Sequence, residues 1–206
     1  LVKDFHGEVG IYVKNLRTGK TAGIHQDSIF PTASMIKVPI TAGIMNKINK
    51  GTLRYDTTLT YKDSLLYAGQ DILGSFKNGE KIALSKVLLL MITTSDNTAS
   101  LWSQSLAGGG TTINELMAEN GLQHTRVNSR TPGRAGNQQK YGWGQTTPRE
   151  MASLLVKIRK GQLISASASE RIYRNLIRIY YDDVALAEIP PYGQVASKSG
   201  AVDEAR

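Results

Sequence analysis

The chain has 206 residues, 40% of them hydrophobic, enough to bury a substantial core in one domain or two interleaved lobes. It carries no cysteine, which excludes disulfide staples, thiolate metal sites and cysteine nucleophiles together. The formal net charge is +8, yet Lys and Arg are scattered rather than gathered into a block, so no nucleic-acid partner is expected, and no apolar run nears the ~20 residues of a membrane span.

From Glu8 to Leu16, Val9, Ile11 and Val13 alternate with Gly10, Tyr12 and Lys14, the period of a strand with one buried face. Turn residues from Asn15 to Lys20 and a return from Thr21 to His25 complete a hairpin. Beyond Pro31, Ile36, Ile40, Ile44 and Ile48 recur every four residues before Gly51, so a helix begins close to Ser34. Leu84, Val87, Leu88, Met91 and Ile92 predict a second helix from near Ala83, and Thr111 to Asn120 a third, closed by Gly121. Thr147-Pro148-Arg149-Glu150 reads as an N-cap followed by proline at the first helical position, and Ser167-Ala168-Ser169-Glu170 predicts the same cap again. The stretch between Gly121 and Thr146 is rich in Gly, Asn, Gln and Arg and has little periodicity; loops of that length in compact domains usually carry function. Gln194 to Gly200 reads as a final strand.

Ser34 and Lys37 stand three residues apart and so share a helix face. At a helix N-terminus the unpaired N–H groups favour the negative charge that an attacking serine and its oxyanion develop, and a lysine neutralised by burial can take the serine's proton. Two further motifs follow in order: Ser95-Asp96-Asn97 after the apolar helix, and Lys198-Ser199-Gly200 near the end. Tyr67, just before the second motif, is placed to stack along a substrate cleft, whereas Trp102 and Trp143 read as packing residues. His6, His25 and His124 are isolated, with no metal-ligand spacing, so no metal or other cofactor is expected.

These three ordered motifs resemble those of the penicillin-recognising serine enzymes, and among them the class A β-lactamases most closely. The resemblance implies an α/β (α+β) fold in which an antiparallel sheet packs with a mainly helical lobe. Residues 1–33 would supply N-terminal strands, 34–190 the helical lobe and 191–206 a returning strand. It implies that Ser34 is acylated, that Lys37 takes its proton, and that Ser95 relays a proton to the departing nitrogen. Asn97 would bind the substrate's amide side chain, Lys198 and Ser199 its carboxylate, with Gly200 leaving room beside the strand and the N–H groups of Ser34 and Ala201 forming the oxyanion hole. The implied partner is a small β-lactam or peptide-like acyl compound, and the implied location is periplasmic or extracellular. A peptidase or esterase of the same fold, or a non-catalytic penicillin-binding module, are the alternatives.

Two departures from the family's pattern set further expectations. In class A enzymes the long loop carries a glutamate that activates the deacylating water, but Gly121 through Pro148 contains no Asp or Glu here. Counting back from Thr146 puts Pro132 near the expected glutamate and leaves Arg130 without an acidic loop partner, so acylation is expected with slow deacylation, unless Glu150 or Asp71 reaches the site or Lys37 serves both steps. The sequence also stops six residues after Gly200, where the family's sheet continues, so the final strands and helix are expected to be missing.

Overall fold

The computed structural model describes residues 2–69, 71–181, 186–190 and 192–202. The chain opens with an antiparallel hairpin, β1 (Ile11–Lys14) and β2 (Thr21–Ile24), in which Ile11 faces Ile24 and Lys14 faces Thr21. The Asn15 side chain closes the turn by accepting from the N–H groups of Arg17 and Thr18, both at 3.0 Å. The ribbon is less buried than its alternation implies: Val13 is 58% exposed, because two strands alone cannot cover a face.

After β3 (Phe30–Pro31) a single 3-10 turn, Ala33–Ile36, leads directly into α1 (Lys37–Asn49). The four-residue isoleucine spacing has its reason in this helix, the axis of the core: Ile36, Ile40 and Ile44 are fully buried, each worth about 1.5–3 kcal/mol of burial. α1 lies against four other helices on its different sides, so it is buried from Lys37 to Met45, and Gly51 ends it in the left-handed region.

A small antiparallel pair, β4 (Thr58–Thr60) with β5 (Lys81–Ala83), precedes α2 (Leu84–Thr93), whose predicted apolar stripe is fully buried. α3 (Asn97–Leu106) and α4 (Gly109–Glu119) follow. The stretch after Gly121 is ordered despite its aperiodic sequence, forming β6 (Arg126–Val127), the short α5 (Ala135–Tyr141) and β7 (Gly144–Thr146). β7 pairs antiparallel with both β3 and β6, which fastens this loop to the strand just before Ser34. Gly144 is required there: a Cβ at this position would sit 2.5 Å from the Ile36 side chain.

α6 (Pro148–Arg159) starts as its sequence predicts, with the Thr147 hydroxyl accepting from the Glu150 N–H at 3.2 Å. α7 (Ala166–Leu176) starts two residues earlier than expected. Its N-cap is Ser165, not Ser167, because Ser165 has the extended backbone a cap needs and accepts from the Ala168 N–H.

The expected fold class is found, a helical lobe with antiparallel sheets, but the pairing among the described residues is spread over three small sheets. Residues 194–200 form no strand. Ser197 donates to the carbonyl of Leu176 at the end of α7, a helix end rather than a strand edge, so no ladder develops. Among the described residues no helix is long and apolar enough to cross a membrane.

Candidate active site

The 3-10 turn places Ser34 in the first turn of the helical unit, before its first internal bond, from Met35 N–H to Thr32 O. Ser34 is therefore inside the helix start and not its cap. One turn on, the fully buried Lys37 Nζ lies 3.0 Å from Ser34 Oγ, 2.6 Å from Ser95 O, 3.0 Å from Ser95 Oγ and 2.8 Å from Asn97 Oδ1. Burial, then the charge of Lys198, pushes Lys37 down to about 7, while Asp71 and Asp96 work in the opposite sense. A neutral Lys37 keeps two N–H donors for the carbonyl oxygens of Ser95 and Asn97, which can only accept, and turns its lone pair to a hydroxyl.

The second motif occupies the turn between α2 and α3. Ser95 has left-handed backbone (φ +59°), as does Ala33 (φ +43°) just before Ser34. Such residues cost about 1–3 kcal/mol each and persist where the surroundings over-determine them. What holds the turn is a pair of carboxylates at the N-terminus of α3. Asp96, fully buried, accepts from the N–H groups of Ala99 (2.7 Å) and Leu73 (2.9 Å); burial raises its pKa while these bonds oppose the rise. Asp71 accepts from the N–H groups of Asn97 and Thr98, both at 2.9 Å, and from the Thr98 hydroxyl at 2.7 Å. Thr98 in turn receives the Tyr67 N–H at 3.0 Å, so one carboxylate organises both Asn97 and Tyr67.

The third motif closes the arrangement. Lys198 Nζ, pushed down to about 8 by burial, lies 3.1 Å from Ser95 Oγ and 2.8 Å from Ser199 O. Ser95 Oγ thus sits between two amines. Gly200 runs against the nucleophile's turn: a Cβ there would fall 2.5 Å from Thr32 O and 3.0 Å from Ser34 N. Ala201, the next residue, lines the same cleft as Ser34, while the Ser199 side chain stays exposed.

A cleft of about 430 Å³ opens over these residues, lined by Ser34, Tyr67, Asn97 and Ala201 on one side and by Gln139 to Trp143 of the loop on the other. A separate cavity of about 310 Å³ between the N-terminal hairpin, α6 and α7 is mostly aliphatic and holds none of the three motifs. Of the site residues expected from sequence, Ser34, Tyr67, Asn97 and Ala201 line the cleft, and Lys37, Ser95, Lys198 and Gly200 adjoin them. Trp143 packs against the core as expected and also lines the cleft wall, its ring edge-on to Tyr67 at 5.1 Å. Two carboxylates considered as substitute bases lie elsewhere: Asp71 faces the α3 N-terminus, and Glu150 accepts from the N–H groups of His124 and Thr125. The loop's anchoring arginine is Arg134, which donates to Asn128 Oδ1 (2.7 Å) and Gln145 Oε1 (2.8 Å), and not the exposed Arg130. Pro132 is exposed and does not line the cleft; Gln139 does.

Similarity to known proteins agrees with this arrangement. The β-lactamase AER-1 of Aeromonas hydrophila is 26% identical over 201 residues, covering 95% of this chain and 65% of its own length. VEB-1 of Pseudomonas aeruginosa is 25% identical over 180 residues, covering 84% of this chain and 60% of its own, so the chain spans less than two thirds of these curated relatives. Among solved structures, PBP-A is 29% identical with a TM-score of 0.82, covering 93% of this chain and 70% of that one; a PBP-A mutant has been solved as an acyl-enzyme complex with penicillin G. An ancestral class A β-lactamase, 23% identical, shares the fold with a TM-score of 0.84 over 97% of this chain and 76% of its own. The family model of the beta-lactamase enzyme family matches residues 1–206, the whole of the sequence, and the chain belongs to that family of penicillin-recognising serine enzymes.

Proposed function

We propose that this chain is a serine hydrolase that forms an acyl-enzyme with β-lactams through Ser34 and releases it slowly. The observation that carries this reading is the buried Lys37 amine, 3.0 Å from Ser34 Oγ and poised near neutrality. Lys37 takes the Ser34 proton as Oγ bonds to the lactam carbonyl carbon. When the carbon–nitrogen bond breaks, the nitrogen takes the proton of Ser95, which is replaced from Lys37 at 3.0 Å. Asn97 binds the acyl-amide side chain, Tyr67 stacks at the cleft wall, and Lys198 with Ser199 receives the ring carboxylate. The N–H groups of Ser34 and Ala201 hold the oxyanion, an arrangement that needs Gly200.

Each role has a physical consequence. Adding a methyl group in Gly200→Ala forces the backbone before Ala201 away from Ser34, and losing one oxyanion donor is worth about 10²–10³ in rate. Stopped-time labelling with a fluorescent penicillin should show that fall while the melting temperature changes little; an unchanged labelling rate would remove Ala201 from the oxyanion hole. The same substrate class extends to peptide-like acyl donors, since nothing in the Ser34–Lys37–Ser95 unit is particular to a four-membered ring. A non-catalytic module is disfavoured by the intact contact among those three residues. The reading is tested by covalent labelling: the wild-type chain should take up one fluorescent penicillin per molecule and Ser34→Ala none, whereas a folded wild-type sample that stays unlabelled contradicts it.

A further inference from the structure

The loop wall of the cleft carries a charge that meets no counter-ion among the described residues. Gly121 to Pro148 contains Arg126, Arg130, Arg134 and Lys140 and no carboxylate. Arg126 is committed to the carbonyls of Leu122 and Thr125, and Arg134 to Asn128 and Gln145. Arg130 is exposed and away from the cleft lining. Lys140 differs: among the described residues lining the cleft it is the one charged side chain, it makes no hydrogen bond or ion pair with another described residue, and its ammonium sits over the Tyr141 ring at 5.0 Å. Asp71 and Asp96, beside Asn97 of the facing wall, are engaged by backbone N–H groups, those of Asn97 and Thr98 and those of Ala99 and Leu73. A cation held against an aromatic face in a cleft, with no anion opposite among the described residues, is suited to recognising an anionic ligand.

The orientation of the substrate says which part of it would meet this cation. With the ring carboxylate at Lys198 and the carbonyl over Ser34, the acyl side chain runs past Asn97 and Tyr67 toward the loop wall, on the other side of the scissile bond. We propose that Lys140 selects acyl donors whose acyl side chain itself carries a carboxylate, an α-carboxy penicillin or a peptide-like donor with an acidic side chain. This rests on the function proposed above and adds a specificity-determining residue to it. The neighbouring Tyr67–Trp143 pair would hold the apolar part of the same side chain.

The experiment compares the acylation rate constants for α-carboxybenzylpenicillin and benzylpenicillin, which differ by that one carboxylate, in the wild type, Lys140→Gln and Lys140→Glu. A solvent-exposed ion pair is worth a factor of about 2–5. The ratio of the two rate constants should fall by that factor in Lys140→Gln and further in Lys140→Glu, and in the wild type it should shrink as salt is raised. A ratio that stays the same in both variants overturns the role of Lys140 while leaving the acyl-enzyme reading intact. If benzylpenicillin does not acylate the wild type at all, the functional reading fails and this inference fails with it.

Discussion

Lys37→Met should acylate with a penicillin about 10²–10⁴-fold more slowly than the wild type, the range that positioned general-base catalysis supplies. Methionine keeps most of the buried stem's volume, so the nucleophile's helix is retained while the proton acceptor is removed. The wild type should also show a bell-shaped dependence of acylation rate on pH. Below about 7 Lys37 is protonated and cannot take the Ser34 proton, so the rate falls by about a factor of ten per pH unit on the acid side. Above about 8 Lys198 loses the positive charge that receives the substrate carboxylate, and the rate falls again. The two amines share Ser95 Oγ, so the limbs belong to the pair and not to either residue alone. In Lys37→Met the acid limb should vanish along with most of the rate. A residual activity that keeps the acid limb would assign the base to another group.

Hydrolysis of the Ser34 ester should be slower than its formation by about 10²–10⁴, because no carboxylate faces the ester from the loop wall. Gln139 lines the cleft and can orient a water, but an amide cannot accept its proton at neutral pH. Gln139→Glu puts a carboxylate on that wall without changing its shape, and the steady-state rate of penicillin hydrolysis should rise at least about tenfold. Pro132→Glu, at the position that sequence counting selects, lies outside the cleft and should leave the turnover rate where it is. A wild type that already turns over as fast as it acylates would show that Lys37 serves both steps.

The parts of this account legible in the sequence were those written as local patterns. The isoleucine period of α1, the apolar stripe of α2 and the Thr147-Pro148 helix start are consequences of nearest-turn geometry, and the structure reproduces them. The three motifs are legible as one site through their resemblance, in order, to those of the penicillin-recognising enzymes, since each alone is an ordinary helix start, turn or strand end. What sequence could not deliver depends on distant partners. Residues 194–200 form no strand, the Ser197 N–H donating instead to the end of α7, and Val13 stays exposed because its hairpin pairs with no third strand among the described residues. The organising role of Asp71 is carried by backbone donors 26 and 27 residues away, which no short-range pattern records. The anchoring role of Arg134 is hidden for a related reason: counting along an aperiodic loop assumes a fixed length, whereas β7 sets its register by pairing with β3 and β6. The packing role expected of Trp143 holds, while its place on the cleft wall depends on Tyr67, a distant partner.

The central claim is that Ser34 is acylated through Lys37 and that the ester then waits for a base the loop does not provide. Intact-mass spectrometry of the wild type through a time course with excess benzylpenicillin tests both halves at once. A single adduct mapping to the Ser34 peptide, formed rapidly near pH 7.5 and still present long after acylation is complete, is the predicted result; no adduct, an adduct on another residue, or a fleeting adduct accompanied by many equivalents of hydrolysed penicillin would contradict it.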